Sequence, residues 1–182
     1  DYDALRPAFA QTGSARLPHG LNLGAQLHWL LETQAELSDR LAHVLTYPQY
    51  WGWRLTGQMA CDVCSLGCHT DLWDPWRAQF SDLVDRLGIA GKIAPPQRPD
   101  AVLGHLLPDL AAATGLSPDT PVTVGIHDSN ASLYPHVLGR DGGFSVVSTG
   151  TWVVAMAVGG ETPALDPTRD VLVNVNALGA PV

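Results

Sequence analysis

Apolar positions recur at helical spacing from Leu21 onward. Leu23, Leu27, Leu30, Leu31 and Leu37 fall at steps that include three, four and six, with Glu32, Glu36, Asp39 and Arg40 between them. A second short helical stretch is expected over Asp39 to Leu45, ending near Tyr47-Pro48. Gln49 to Leu55 carries Tyr50, Trp51, Trp53 and Leu55, the density of a helix packed on both sides and stopped by Gly57. Asp74-Pro75 reads as the opening of another helix, with Trp76, Phe80, Leu83, Val84 and Leu87 on one stripe and Gly88 at its end. Asp109 to Thr114 is an Ala-rich helix closed by Gly115. Residues 1–20 hold Pro7, Gly13, Pro18 and Gly20 and read as irregular. Gln58 to His69 reads as turn, and Lys92 to Pro99 as extended or loop.

Beyond Pro118 to Pro121 the pattern changes to short β-branched runs. Val122, Thr123 and Val124 are cut by Gly125, and Asp128 follows at once before a helix-compatible segment, Ser129 to Leu138. Phe144 to Val147 is a second apolar run, ending in Ser148-Thr149-Gly150-Thr151. Thr151 to Val158 continues as a strand. Gly159-Gly160 is a turn, Glu161 to Asp170 a loop, and Val171 to Val175 a last strand. The chain therefore reads as helical first and strand-rich second. Two strand-then-loop units stand close together. One presents an acid, and the other presents backbone N–H groups and hydroxyls. Ligands of α/β folds collect at such strand ends. A base facing an anion cradle suits phosphoryl transfer to an alcohol.

Composition changes this picture little. The net charge of −8 and the scattered ten basic residues, nine of them Arg, argue against a nucleic-acid partner or an anionic membrane surface. Apolar stretches are too short to span a bilayer. Three cysteines within eight residues do not make a disulfide framework, so a reducing cytoplasm is the expected compartment.

Each candidate group has two readings. Asp128 is either a general base, taking a proton from an attacking hydroxyl, or the N-cap of the following helix. Ser148-Thr149-Gly150-Thr151 is either a phosphate-binding loop or a plain turn. Cys61, Cys64, Cys68 and His69 are either ligands of a zinc ion or an iron–sulfur cluster, or small side chains packed in the interior. His127-Asp128 has no matching doublet elsewhere for a metal phosphohydrolase. Trp152 can stack on a sugar ring or belong to the core. No GxxxxGK[ST] motif occurs.

Val124-Gly125-Ile126-His127-Asp128-Ser129-Asn130-Ala131, followed by Ser148-Thr149-Gly150-Thr151-Trp152, resembles the FGGY carbohydrate kinase family. Leu27-His28-Trp29-Leu30-Leu31-Glu32 resembles the family's K-x-x-W-L helix. Tyr50 to Gly57 resembles its D-Y-x-x-x-x-L-T-G element, with Asp62 and Leu72-Trp73-Asp74 after it. The Ser-Thr-Gly-Thr-Trp run is most like the rhamnulose and fuculose kinases. The resemblance implies an α/β, actin-like and ribonuclease-H-like fold of two domains closing on ATP and sugar. It implies Asp128 as catalytic base, and Ser148, Thr149, Gly150 and Thr151 at the ATP phosphates. It implies Asn22, His127, Asp128 and Trp152 at the sugar, with no protein-held metal site. ATP and Mg²⁺ are the implied co-substrate and ion, and a homodimer is compatible with it. Residues 1–139 match the later part of the first domain, and 140–182 the start of the second. The family's Asp-x-Gly-Thr phosphate loop and its later adenosine-holding Gly-Gly element have no counterpart here. The expected reading is thus an inner portion of a longer kinase, inactive alone. The cysteine run falls where relatives carry small and hydroxyl residues.

Overall fold

A computed structural model describes residues 1–150, 152–160 and 165–182. Thr151, expected in the phosphate loop, and residues 161–164 of the expected loop lie outside the described residues. The first hundred residues form mostly short elements. Two one-turn helices, α1 (Tyr2–Leu5) and α2 (Phe9–Thr12), precede α3 (Leu23–Thr33), α4 (Ala35–Arg40) and α5 (Tyr47–Thr56). Then come β1 (Cys61–Asp62), α6 (Val63–Leu66), β2 (Trp73–Asp74), β3 (Gln79–Phe80), α7 (Leu83–Arg86) and β4 (Pro96–Gln97). The remainder holds β5 (Val102–His105), α8 (Pro108–Thr114), β6 (Pro121–Thr123), α9 (Asp128–Gly139), β7 (Phe144–Thr149) and β8 (Val153–Val158).

The expected helices at α3, α5, α8 and α9 form. Gly57 and Gly115 close α5 and α8 in the left-handed conformation, at φ 74° and 75°. Such a φ costs glycine no Cβ clash. Other expectations fail. Of the helix expected over Asp39 to Leu45, only Asp39 and Arg40 are helical, as the end of α4. The chain leaves α4 at Leu41 in extended conformation, and Val44 bridges Ile93 in parallel, its N–H donating to Lys92 O at 2.9 Å. The long helix expected from Asp74 is instead a β2–β3 pair, a turn and the single turn of α7. Asp74 does cap, accepting from Trp76 N and Arg77 N at 3.0 Å each. Ala78 then takes φ 51° and reverses the chain, so that Phe80 meets Trp73 edge-on, ring centroids 5.7 Å apart. Residues 58–69 hold β1 and α6 rather than turn alone. The last expected strand, Val171 to Val175, reduces to isolated bridges to Asp166 and Pro181.

Strands are paired two by two: β1 with β4 in parallel, and β2–β3, β5–β6 and β7–β8 antiparallel. Five of the eight strands among the described residues precede Pro118, so the strand content is not confined to the later part. The core joins Val44, Cys61, Leu66, Leu72, Trp73, Leu83, Val84, Ile89, Ile93, Ala94 and Val175, with the apolar faces of α1, α3 and α7 against it. No helix among the described residues is long and apolar enough to cross a membrane.

Candidate active site

β6 runs antiparallel to β5 and stops at Thr123. A four-residue connector, Val124 to His127, leads from it into α9. Gly125 stands at φ 91°, a conformation that admits glycine and strains other residues. The connector is pinned from several sides. Val124 N donates to Ala101 O at 3.0 Å, and Gly125 N to Pro99 O at 3.1 Å. Their carbonyls accept from Gln49 Nε2, at 3.0 and 3.3 Å. His127 N donates to Cys64 Sγ at 3.4 Å.

Asp128 is the first residue of α9, and its side chain is 93 % exposed. It is not the N-cap. That position belongs to His127, whose side chain makes no capping bond. Asp128 Oδ1 instead accepts from the adjacent Ser129 N at 2.6 Å. Its charge still benefits from the positive end of the α9 dipole. His127 Nδ1 lies 3.2 Å from Asp128 Oδ1, though the approach is outside hydrogen-bond geometry.

Beside this junction opens a cleft of about 790 Å³. His127 forms part of its wall, together with Thr46, Tyr50 and Trp53 from the α5 region and Ser65, Cys68 and His69 from α6 and the turn after it. Aromatic walls with a few convergent polar groups are the usual make-up of a small-molecule site. Burial lowers the pKa of His69, with the neighbouring His127 adding to it.

Asn22 faces inward. It is buried, its Oδ1 accepting from Leu17 N at 2.9 Å and its Nδ2 donating to Ala15 O at 2.8 Å. Its neighbours Leu21 and Leu23, not Asn22, line the cleft. Ser148, Thr149, Gly150 and Trp152 sit at the tip of the β7–β8 hairpin, where Trp152 is 67 % exposed. Gly150 N donates to Trp152 O at 3.1 Å, so that amide is already engaged. A side chain at Gly150 would meet nothing within 4 Å, which leaves the tip open to a ligand. No hydrogen bond or ion pair joins Asp128 to the tip among the described residues; α9 packs on β7, and Arg140 lies over the Phe144 ring at 5.9 Å.

The thiols do not converge. Cys61, Cys64 and Cys68 are all buried and free. Cys64 Sγ donates to Asp62 Oδ2 at 2.7 Å, and Cys68 Sγ accepts from Asn174 Nδ2 at 3.7 Å. Among the described residues no group of three or more His, Cys, Asp or Glu side chains is placed to hold a metal ion. Asp62 instead works as a true cap for α6, accepting from Cys64 N at 3.1 Å and Ser65 N at 2.9 Å. Gln49, Asp62 and Asp71 are buried polar residues that the periodicity did not single out. For Asp62, the signal that could have marked it is local: an acid standing directly before the short Val63-Cys64-Ser65-Leu66 helix.

Residues 10–134 match the model of the FGGY family of carbohydrate kinases, N-terminal domain, and residues 141–182 match that of the carbohydrate kinase FGGY, C-terminal domain. A rhamnulokinase of Pectobacterium atrosepticum is 29 % identical over 168 residues, covering 87 % of this chain and 30 % of the relative. The crystal structure of a carbohydrate kinase from Novosphingobium aromaticivorans is 46 % identical, with a TM-score of 0.89 over 100 % of this chain and 41 % of that one. A xylulose kinase from Rhodospirillum rubrum is 26 % identical, with a TM-score of 0.64 over 78 % of this chain and 29 % of that one. The chain thus spans about three tenths of the length of the curated relatives it matches. Its mixed α/β architecture is a part of the actin-like fold of those sugar kinases. The chain belongs to the FGGY family of carbohydrate kinases.

Proposed function

We propose that this chain is a portion of an ATP-dependent sugar kinase and that it supplies the catalytic base, Asp128. The observation that carries the reading is the exposed carboxylate at the first position of α9, next to a histidine that walls an aromatic-lined cleft. The cleft takes the sugar, a ketose or deoxyketose of the xylulose, L-rhamnulose or L-fuculose kind, as the names of the relatives suggest. His127 lies against it, and Trp152, exposed at the hairpin tip, is the aromatic assigned to the sugar when it binds. The hydroxyls of Ser148 and Thr149 face the phosphates of ATP, and Gly150 leaves room for their approach. The two matched regions support a first-domain portion over 1–139 and the start of a second domain over 140–182. The compartment consistent with this activity is the cytoplasm.

The chemistry is an in-line displacement. The sugar hydroxyl oxygen bonds to the γ-phosphorus as the bond from phosphorus to the β,γ-bridging oxygen breaks and ADP leaves. The hydroxyl proton passes to the Asp128 carboxylate. Magnesium neutralises phosphate charge in such reactions. The donor set fits an ion carried mainly by the phosphates, since Asp128 offers a single exposed carboxylate and no cage of ligands surrounds it among the described residues.

The test is Asp128→Asn in the full-length protein that carries these residues, assayed with ATP and a panel of ketoses. Loss of the base is expected to lower kcat by about 10²- to 10⁴-fold. Unchanged turnover would remove Asp128 from the reaction and favour a non-catalytic, sugar-binding relative. The 182 residues alone are expected to show no sugar-dependent ATP turnover.

A further inference from the structure

The connector that aims Asp128 is held by a side chain from a different element. Gln49, in α5, has no exposed surface. Its Oε1 accepts from the Thr46 hydroxyl, which fixes the orientation of the amide. The Nε2 group then faces the carbonyls of Val124 and Gly125, at 3.0 and 3.3 Å. Both carbonyls can only accept, so the assignment is chemically forced: two donors meet two acceptors. The neighbouring amides of Val124 and Gly125 are taken on the other side by Ala101 O and Pro99 O. α5 approaches closely enough that a Cβ on Gly52 would stand 2.8 Å from Leu103 Cδ2.

We infer that Gln49 is a positioning residue for Asp128: its amide clamps the Val124–Gly125 carbonyls and so fixes where the strand-to-helix junction presents the carboxylate. This rests on Asp128 being the base. The glycine at φ 91° leaves the connector free to swing, and the clamp removes that freedom. Buried carbonyls without partners are costly, so the connector moves to find water if the clamp is lost. A shift of about 1 Å in a reacting group is enough to cost about a hundredfold in rate. Gln49 also ties the base to the cleft wall, because Thr46 and Tyr50 on either side of it line the cleft.

The experiment uses the full-length protein with three variants, Gln49→Leu, Thr46→Val and Asp128→Asn. Gln49→Leu keeps the bulk of the side chain and removes both donors. It is expected to lower kcat about tenfold to a hundredfold while the sugar KM stays within about twofold. Hydrogen–deuterium exchange is expected to speed up over residues 122–130 and to stay unchanged over α3. Thr46→Val, which frees the amide to rotate, is expected to shift both readouts in the same direction by less; it decides the matter if Gln49→Leu does not fold. A kcat per folded site within twofold of the parent overturns the inference, as does faster exchange spread evenly over the molecule. If Asp128→Asn is fully active, the base assignment itself fails. If Asp128→Asn is inactive while Gln49→Leu is fully active with unchanged exchange, only the role of Gln49 fails.

Discussion

Asp71 carries its charge in the interior, its side chain fully covered. Arg6 meets it from 65 residues away with two bonds, Nε to Oδ2 at 3.1 Å and Nη2 to Oδ1 at 3.0 Å, and Tyr2 donates its hydroxyl to Oδ2 at 2.6 Å. Burial and this carboxylate push the Tyr2 phenol pKa well up. Arg6→Ala would leave the carboxylate buried without its counter-charge, and is expected to cost about 3–5 kcal/mol in denaturant unfolding. The thiols respond to alkali instead. Burial raises Cys68 from its ordinary 9.0 to about 12, and burial together with Asp62 raises Cys64. An acid whose folded pKa is raised ionises first in the unfolded chain. Its contribution is therefore intact below pH 9 and lost as pH climbs from there towards 12. Unfolding free energy should fall over that window, and Cys68→Ala should flatten the fall by up to one proton's worth. Equal slopes in the two proteins would show that Cys68 does not titrate on unfolding. The sequence singles out Cys64 and Cys68 by their spacing and Asp128 because a carboxylate between a glycine and a helix is a local pattern, but not Asp71, Arg6 or Gln49. The partners of Asp71 and Gln49 lie 65 and 75 residues away, beyond the reach of spacing arguments.

At the scale of elements, α3, α5, α8 and α9 were legible because each has its own stop or start signal and a sustained period. The segment from Asp74 to Gly88 was not. Its Asp-Pro opening and apolar stripe satisfy helix rules, yet the same Asp74 cap fits a tight turn. The Trp73–Phe80 contact favours the strand pair over the continued helix. Local signals there support two structures, and side-chain packing chooses. Packing also limits what a helix can carry. A Cβ on Gly24, in α3, would stand 2.8 Å from Thr70 O, a backbone atom that cannot step aside alone. Gly24→Ala is expected to destabilise by about 1–3 kcal/mol despite alanine's better helix propensity. A rise in thermal midpoint would mean that α3 and the 70s turn are not packed as described.

At the scale of the molecule, the segment after the hairpin returns to the first half. Val173 N donates to Gly13 O at 2.9 Å, Asn174 reaches Cys68, and Val175 is fully buried in the core with Leu66 and Leu72. Gly67 accepts Val175 only because it has no Cβ, which would collide with that side chain. The β7–β8 hairpin between these contacts is different: Val147 is 60 % and Val153 74 % exposed. A sequence boundary near residue 140 therefore does not mark where core contacts end. Two conservative truncations separate the alternatives. Val175→Ala should lose about 2 kcal/mol, since it removes buried methyl groups from a site that cannot fully collapse. Val153→Ala, on an exposed strand, should lose no more than about 0.5–1 kcal/mol. Chemical denaturation of both variants checks the pair. Equal losses would detach residues 173–177 from the core and leave them as an appendage of the hairpin; a larger loss at Val175 ties the later part of the second matched region into the same cooperative unit as α3, α6 and α7.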